Sequence, residues 1–273
     1  MHGPWHQGSL GSRGDAIVLE TEVSAHRVLI GNRLAISFQR ARQLSHTDRA
    51  HVPPSSLGAL SIHRAKDYRH RVPRTWDVEI AIFVGAWPGE ALWIGFSGAP
   101  WKPTVVKVAV GAINAVTGAP WQEKLHADPQ DYIVCPPQLA LDGVYAGQHL
   151  VRQFFIEESQ TASSPETASL CLIAYDPKIN RFPEQSSQPT PRLPTIQHSP
   201  AVVSAEHGVT LRAEAPLAQE ILPDPHGIDT WDQTQSANLP VYIVGNRQYQ
   251  EITGTELLRT AGHNQEYIPR RLP

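Results

Sequence analysis

The chain has 273 residues and a mass of 30.1 kDa, enough to bury a sizeable core as one large domain or two small ones. Hydrophobic residues make up 41% and charged residues 18%, which excludes a wholly disordered or fibrous chain. A formal charge of -3 argues against nucleic acid as the main partner, and two cysteines, Cys135 and Cys171, cannot build a disulfide framework.

Period-two alternation and β-branched residues dominate from the start. The first twenty residues lack a basic start followed by an apolar run, so no secretory leader is expected there. The first predicted strand covers 16–23. Residues 27–30 and 33–38 then read as a hairpin around Gly31-Asn32, a pair that supplies the positive φ of a two-residue turn. Residues 59–64 form the next strand, and 64–72 a short helix. The apolar stretch 78–96 is the best candidate for a membrane span, but Glu79, Glu90 and Pro88-Gly89 interrupt it. It reads instead as strands 78–84 and 91–96 around a turn. Further strands are expected at 104–110, 132–135, 151–156, 170–175, 209–212 and 241–244, with short helices at 217–222 and 255–260. So many short strands, punctuated by 24 prolines and 19 glycines, predict a mostly β fold. The expected form is an antiparallel β-sandwich or a partly closed barrel with a few short helices.

Residues 1–273 read as a single β domain. Two tracts rich in Ser, Thr and Pro, around 158–169 and 183–200, read as a flexible insertion with too little to bury to offset its ordering entropy. The expected setting is cytoplasmic, with reduced thiols and no membrane partner; the two cysteines would pair only if their strands were neighbours.

Charge is unevenly placed. Residues 1–75 hold 11 basic and 5 acidic side chains, net +6, whereas the rest hold 12 and 21, net -9. The densest basic run, His63 to Arg71, fits either an anion or acidic-partner patch or a solvated face complementing the acidic half of the same molecule.

Four local features bear on chemistry. Gly98-Ala99-Pro100-Trp101 recurs as Gly118-Ala119-Pro120-Trp121. A chain bent at Gly111 would bring both rings to one end of the sheet as an aromatic platform; alternatively each Trp lids the core at its own turn. The run from Asp224 to Asp232, which includes His226, Asp229 and Trp231, offers oxygen ligands or a paired acid and base, or else turn and capping chemistry. His126-Ala127-Asp128 matches by letter the start of an iron-binding triad whose distal ligand would be His198 or His207. Cys135, near His126 in sequence, is conceivable as a nucleophile but more in keeping with a buried structural thiol.

Several stretches come in a fixed order over about residues 60–255. They are Glu90-Ala91-Leu92-Trp93-Ile94, Asn114-Ala115-Val116-Thr117-Gly118 with Pro120-Trp121, and Pro129-Gln130-Asp131-Tyr132. Leu141-Asp142-Gly143, Gln219-Glu220-Ile221, Asp224-Pro225 with Gly227, Asp229 and Trp231-Asp232, and Ile252-Thr253-Gly254 follow. Together they resemble one family of bacterial hypothetical proteins with no assigned activity. The resemblance implies a shared fold and no particular chemistry. Asp128 and His226 stand where that family has other residue types, which tells against iron and against a metal role for His226. Ala140 replaces an expected aromatic. Asp131, Asp142, Asp229 and Asp232 fit the family pattern and become the carboxylate candidates.

Two functions from different classes follow. The first is a non-catalytic β-rich protein that binds another protein or assembles with itself, the basic end of one copy meeting the acidic end of another. The second is a hydrolase or isomerase acting on a polar small molecule, with an optional divalent cation. Its site would lie where Asp131, Asp142, Asp229 and Asp232 converge, one carboxylate being made basic by burial beside Trp. Trp101, Trp121, Trp231 and His126 are the expected ligand-binding residues. No cofactor and no metal ligand set is assigned.

Overall fold

A computed structural model describes residues 19–43, 56–147, 150–158, 168–183, 200–201 and 209–260 of the protein. In chain order its strands begin with β1 (Thr21–Ser24), β2 (Arg27–Ile30), β3 (Leu34–Arg42), β4 (Gly58–Ala59), β5 (Ile62–Arg64) and β6 (Ile82–Gly85). They continue with β7 (Glu90–Gly98), β8 (Thr104–Val110), β9 (Ile113–Asn114), β10 (Ile133–Cys135), β11 (Ala140–Leu141) and β12 (Gly143–Gly147). The remainder are β13 (Leu150–Glu158), β14 (Ala168–Pro177), β15 (Pro200–Ala201), β16 (Val209–Ala218), β17 (Trp231–Val244) and β18 (Arg259–Thr260). Among the described residues one α-helix, α1 (Asn246–Thr253), and two 3-10 turns, Ala65–Tyr68 and Ile228–Thr230, complete the elements.

Two sheets stack as a β-sandwich. One has nine strands in the order β1-β2-β3-β7-β13-β12, with β11 on β7, β16 on β13 and β4 on β3. The other has seven in the order β10-β8-β14-β17-β6-β5, with β9 on β8. Among the described residues neither sheet closes on itself, and no helix is long and apolar enough to cross a membrane. The pairing is antiparallel except between β17 and β6, which run parallel, so the smaller sheet is mixed.

The core is dictated by alternation. On β3, Leu34, Ile36 and Phe38 point inward, and on β7 so do Leu92, Ile94 and Phe96; they meet Val106 and Val108 of β8 and Leu170 and Leu172 of β14. The opposite face of the seven-stranded sheet is also apolar and carries two further clusters. Phe83 and Tyr242 pack under Trp76, Tyr249 and Ile252 at the β6 side, while Val105, Ile173 and Tyr175 pack under Leu125, Tyr132 and Trp231 at the β8 side. Helix α1 can sit this close because Gly85 has no side chain: a Cβ there would lie 2.6 Å from the Tyr249 ring.

The expected hairpin forms as β2 and β3, with Gly31 at φ 56° and Asn32 at φ 57°. Strand 104–110 is found with the expected bounds. Three helix expectations need correction. Residues 64–72 supply only the 3-10 turn Ala65–Tyr68. Leu217 lies in β16, paired with Val151, so 217–222 is a strand end and a loop. The helix expected at 255–260 lies earlier, as α1, because Gly254 takes a left-handed φ of 76° and ends it. The polar tracts expected at 158–169 and 183–200 lie outside the described residues, save Glu158, residues 168–169, Pro183 and Pro200. His198 and His207 lie outside them too.

Candidate functional site

The side chains expected to carry chemistry gather mostly where the chain folds back over β8. Gly111, at φ 53°, turns the chain out of β8, and Gly118, at φ 72°, turns it again so that Pro120 bridges to Ile113. Residues 121–132 then cross the outer face of the seven-stranded sheet. Lys107, in the middle of β8, points outward by the strand's period and is trapped beneath them with 0% exposure. Its Nζ donates to Asp131 Oδ2 at 2.7 Å and to the Lys124 carbonyl, and it stands 5.3 Å from the centre of the Trp121 ring. Two of the ammonium hydrogens go to these oxygens, and the indole adds a cation–π contact. Burial lowers the Lys107 pKa, and the hydrogen bond and charge of Asp131 pull it back up.

Asp131 is buried and receives more than the lysine. The His126 amide donates to its Oδ1 at 2.8 Å, and His126 Nδ1 lies 2.8 Å from its Oδ2. One carboxylate therefore ties a strand, a loop and an imidazole together. The His126 side chain is 46% exposed at this point. Asn114 pins the same loop by donating to the Asp131 carbonyl at 2.8 Å while accepting from the amides of Val116 and Thr117.

A second hub adjoins the first through Tyr132. Asp224 Oδ2 accepts from the Tyr132 hydroxyl at 2.7 Å and from Trp231 Nε1 at 2.8 Å, and its Oδ1 accepts from the His226 amide at 2.8 Å. Burial first, then the hydrogen bond to Asp224, raises the Tyr132 pKa, so the phenol stays a donor. Trp231 is thereby held at 1% exposure as the floor of the acidic run. His226 meets the edges of Trp231 and Phe182, with ring centres 5.9 and 5.0 Å away.

The other candidates lie elsewhere. Asp142 belongs to the nine-stranded sheet, between β11 and β12, and Gln219 Nε2 donates to its Oδ2 at 2.8 Å. Burial pushes its carboxyl up to about 6. Asp229 is exposed on the turn Ile228–Thr230, and Asp232 accepts from the Thr234 amide and hydroxyl at 2.9 and 2.6 Å. Asp131, His126 and Trp121 are thus brought together, with Trp231 one hub away. Asp142 is bonded into a different sheet.

The backbones of the two Trp turns lie at opposite ends of β8. Trp101 is half-buried before β8 begins, whereas the Trp121 amide donates to the Ala112 carbonyl beyond its end. The strand between them has 7 residues, roughly 23 Å. Cys135 points into the core and Cys171 onto the outer face; both are free, buried and raised in pKa by that burial. Among the described residues no group of three His, Cys, Asp or Glu is placed to hold a metal ion.

Sequence reasoning missed Lys107, Gln130, Gln138 and Gln219 as organisers, and left Asp224 undistinguished within its run. For Lys107 a signal existed: a lone cation at an outward position of Thr-Val-Val-Lys-Val-Ala-Val, where neighbours at the same period are apolar. No family model matches the chain, and neither a curated protein nor a solved structure matches it.

Proposed function

We propose that the protein is a non-catalytic β-sandwich that associates with a second copy of itself through the outer face of its seven-stranded sheet. The observation that carries this reading is the division of charge across that face. Over β5 and β6, residues 62–80 hold five basic and three acidic side chains. Over β8 and β14, residues 121–132 and 224–232 hold six acidic and one basic, or five acidic once Asp131, buried against Lys107, is set aside. A face with opposite halves side by side complements itself under a two-fold rotation, basic half on acidic half. The candidate carboxylates support this over hydrolysis or isomerisation. Asp131 is committed to Lys107 and His126, Asp142 to Gln219 and Asp232 to Thr234. The bonds of Asp131 and Asp232 hold the acidic cover in one shape, and a preorganised surface loses less entropy on docking.

Light scattering across a salt series tests it. The expected result is a dimer at low ionic strength that dissociates by about 0.5 M salt, because exposed charges are screened there. Lys66→Glu with Arg74→Glu should give a monomer, as should Asp128→Lys with Asp229→Lys; mixing the two variants should restore a dimer. All four positions are exposed. A monomer at every salt concentration, or two variants that fail to rescue each other, overturns the reading.

A further inference from the structure

Between β16 of one sheet and β17 of the other, residues 219–224 run as a strap that pairs with no strand among the described residues. Glutamine side chains take the place of that partner. Gln138 Oε1 accepts from the Leu222 amide at 3.0 Å and Gln138 Nε2 donates to the Glu220 carbonyl at 3.3 Å. Gln130 accepts from the Asp224 amide at 2.8 Å and donates to the Leu222 carbonyl at 3.2 Å. At the head of the strap the roles reverse. Gln219 Oε1 accepts from the Asp142 amide at 2.9 Å, and its Nε2 donates to Asp142 Oδ2 and to the Ala140 carbonyl.

Asp142 is 3% exposed, and no described residue donates to its Oδ1, which is buried. Its backbone has no freedom to carry the carboxylate outward. The Asp142 carbonyl accepts from the Phe154 amide at 3.1 Å, and the next residue, Gly143, lies so near β13 that a Cβ would fall 2.0 Å from the Arg152 carbonyl oxygen. Charge on Oδ1 is relieved when the carboxylate takes up a proton, or when the strap lifts and admits water.

We propose that Asp142 is a proton-operated latch on this strap, closed when the carboxyl is protonated and loosened when it ionises. Charged residues on the packed elements are Arg152, Glu157 and Glu158 on β13, Arg212 and Glu214 on β16, Glu220 on the strap, Arg42 on β3, and the Arg40–Glu90 pair joining β3 to β7. None of them offsets the effect of burial, which alone lifts the carboxyl from its ordinary range to about 6. The folded state thus holds the proton more tightly than the opened one. The stabilisation is complete below the ordinary carboxylate range and is lost as pH rises through about 6. A shift of about two pH units corresponds to a roughly 100-fold change in the opening equilibrium. The latch does not depend on self-association.

Two measurements on the full chain test it. Carbon-13 NMR of the Asp142 carboxyl should give a midpoint near 6. Hydrogen exchange of the Leu222 and Asp224 amides, corrected for intrinsic rate, should show the strap opening roughly 100-fold more at about pH 7.5 than at about pH 4. Asp142→Asn should remove that pH dependence. A carboxyl titrating in the ordinary range, or equal opening at both pH values in the wild type, overturns the latch, and both are read without the variant.

Discussion

Over β5, β6 and β17 the outer face of the seven-stranded sheet is closed by rings. Trp76 stacks on Tyr242 with centres 4.1 Å apart, His63 stacks on Phe83 at 5.0 Å, and Tyr249 stands edge-on to His63 at 5.3 Å. Over β8, β10 and β14 the same face is closed by two carboxylate hubs, Asp131 and Asp224, each with several donors. The difference lies in what each cover specifies. Ring contacts contribute through area and tolerate small slides, whereas a buried ion pair with matched donors fits one register and is costly in any other. The ring cover is therefore the forgiving one, and the hub cover fixes a loop that has no strand of its own.

Substitutions that break the hubs should separate the two covers most. Asp131→Ala leaves the buried Lys107 ammonium without its anion and should cost about 3–5 kcal/mol in urea unfolding. Replacing both partners, Lys107→Met with Asp131→Leu, should recover most of that loss, because the attraction of a buried pair is largely cancelled by desolvation. If the double variant is as unstable as the single, the hub does more than balance the lysine. Tyr132→Phe removes one of three donors to Asp224 and should cost about 1–2 kcal/mol by the same assay. The smallest effect is expected on the ring side. Tyr249→Phe deletes a hydroxyl that lies 2.9 Å from His63 Nε2 but keeps the ring on Gly85, so the loss should stay under about 1 kcal/mol. A larger loss there than for Tyr132→Phe would reverse the contrast between the covers.

How much of this was legible depends on the range of the cause. The β2–β3 turn could be read because Gly31 and Asn32 announce their own φ. Helix α1 could not, since Asn-Arg-Gln-Tyr-Gln-Glu-Ile-Thr offers just two buried residues, Tyr249 and Ile252, and it forms because Gly85 leaves room for Tyr249. Strand β17 was expected to start at 241 but starts at Trp231, where Pro177 lies opposite it. Its polar first half is a strand because β14 pairs with it, not because of its own pattern. The Trp121 turn was placed correctly at a bend, but the contact of its ring with the buried Lys107 was not legible.

The candidate site divides in the same way. The carboxylates Asp131, Asp142, Asp229 and Asp232 could be named from the chain, but not that the first would hold a buried lysine and the second a glutamine. The sequence by itself determined the β class, the alternation that builds the core and the turns whose glycines admit positive φ, because those depend on neighbours a few residues away. Only the tertiary structure decided which polar atoms meet. Lys107 finds Asp131 across 24 residues, Asp142 finds Gln219 across 77 and Tyr132 finds Asp224 across 92. Such pairs form where packed sheets exclude water and leave each buried donor or acceptor to the one partner within reach.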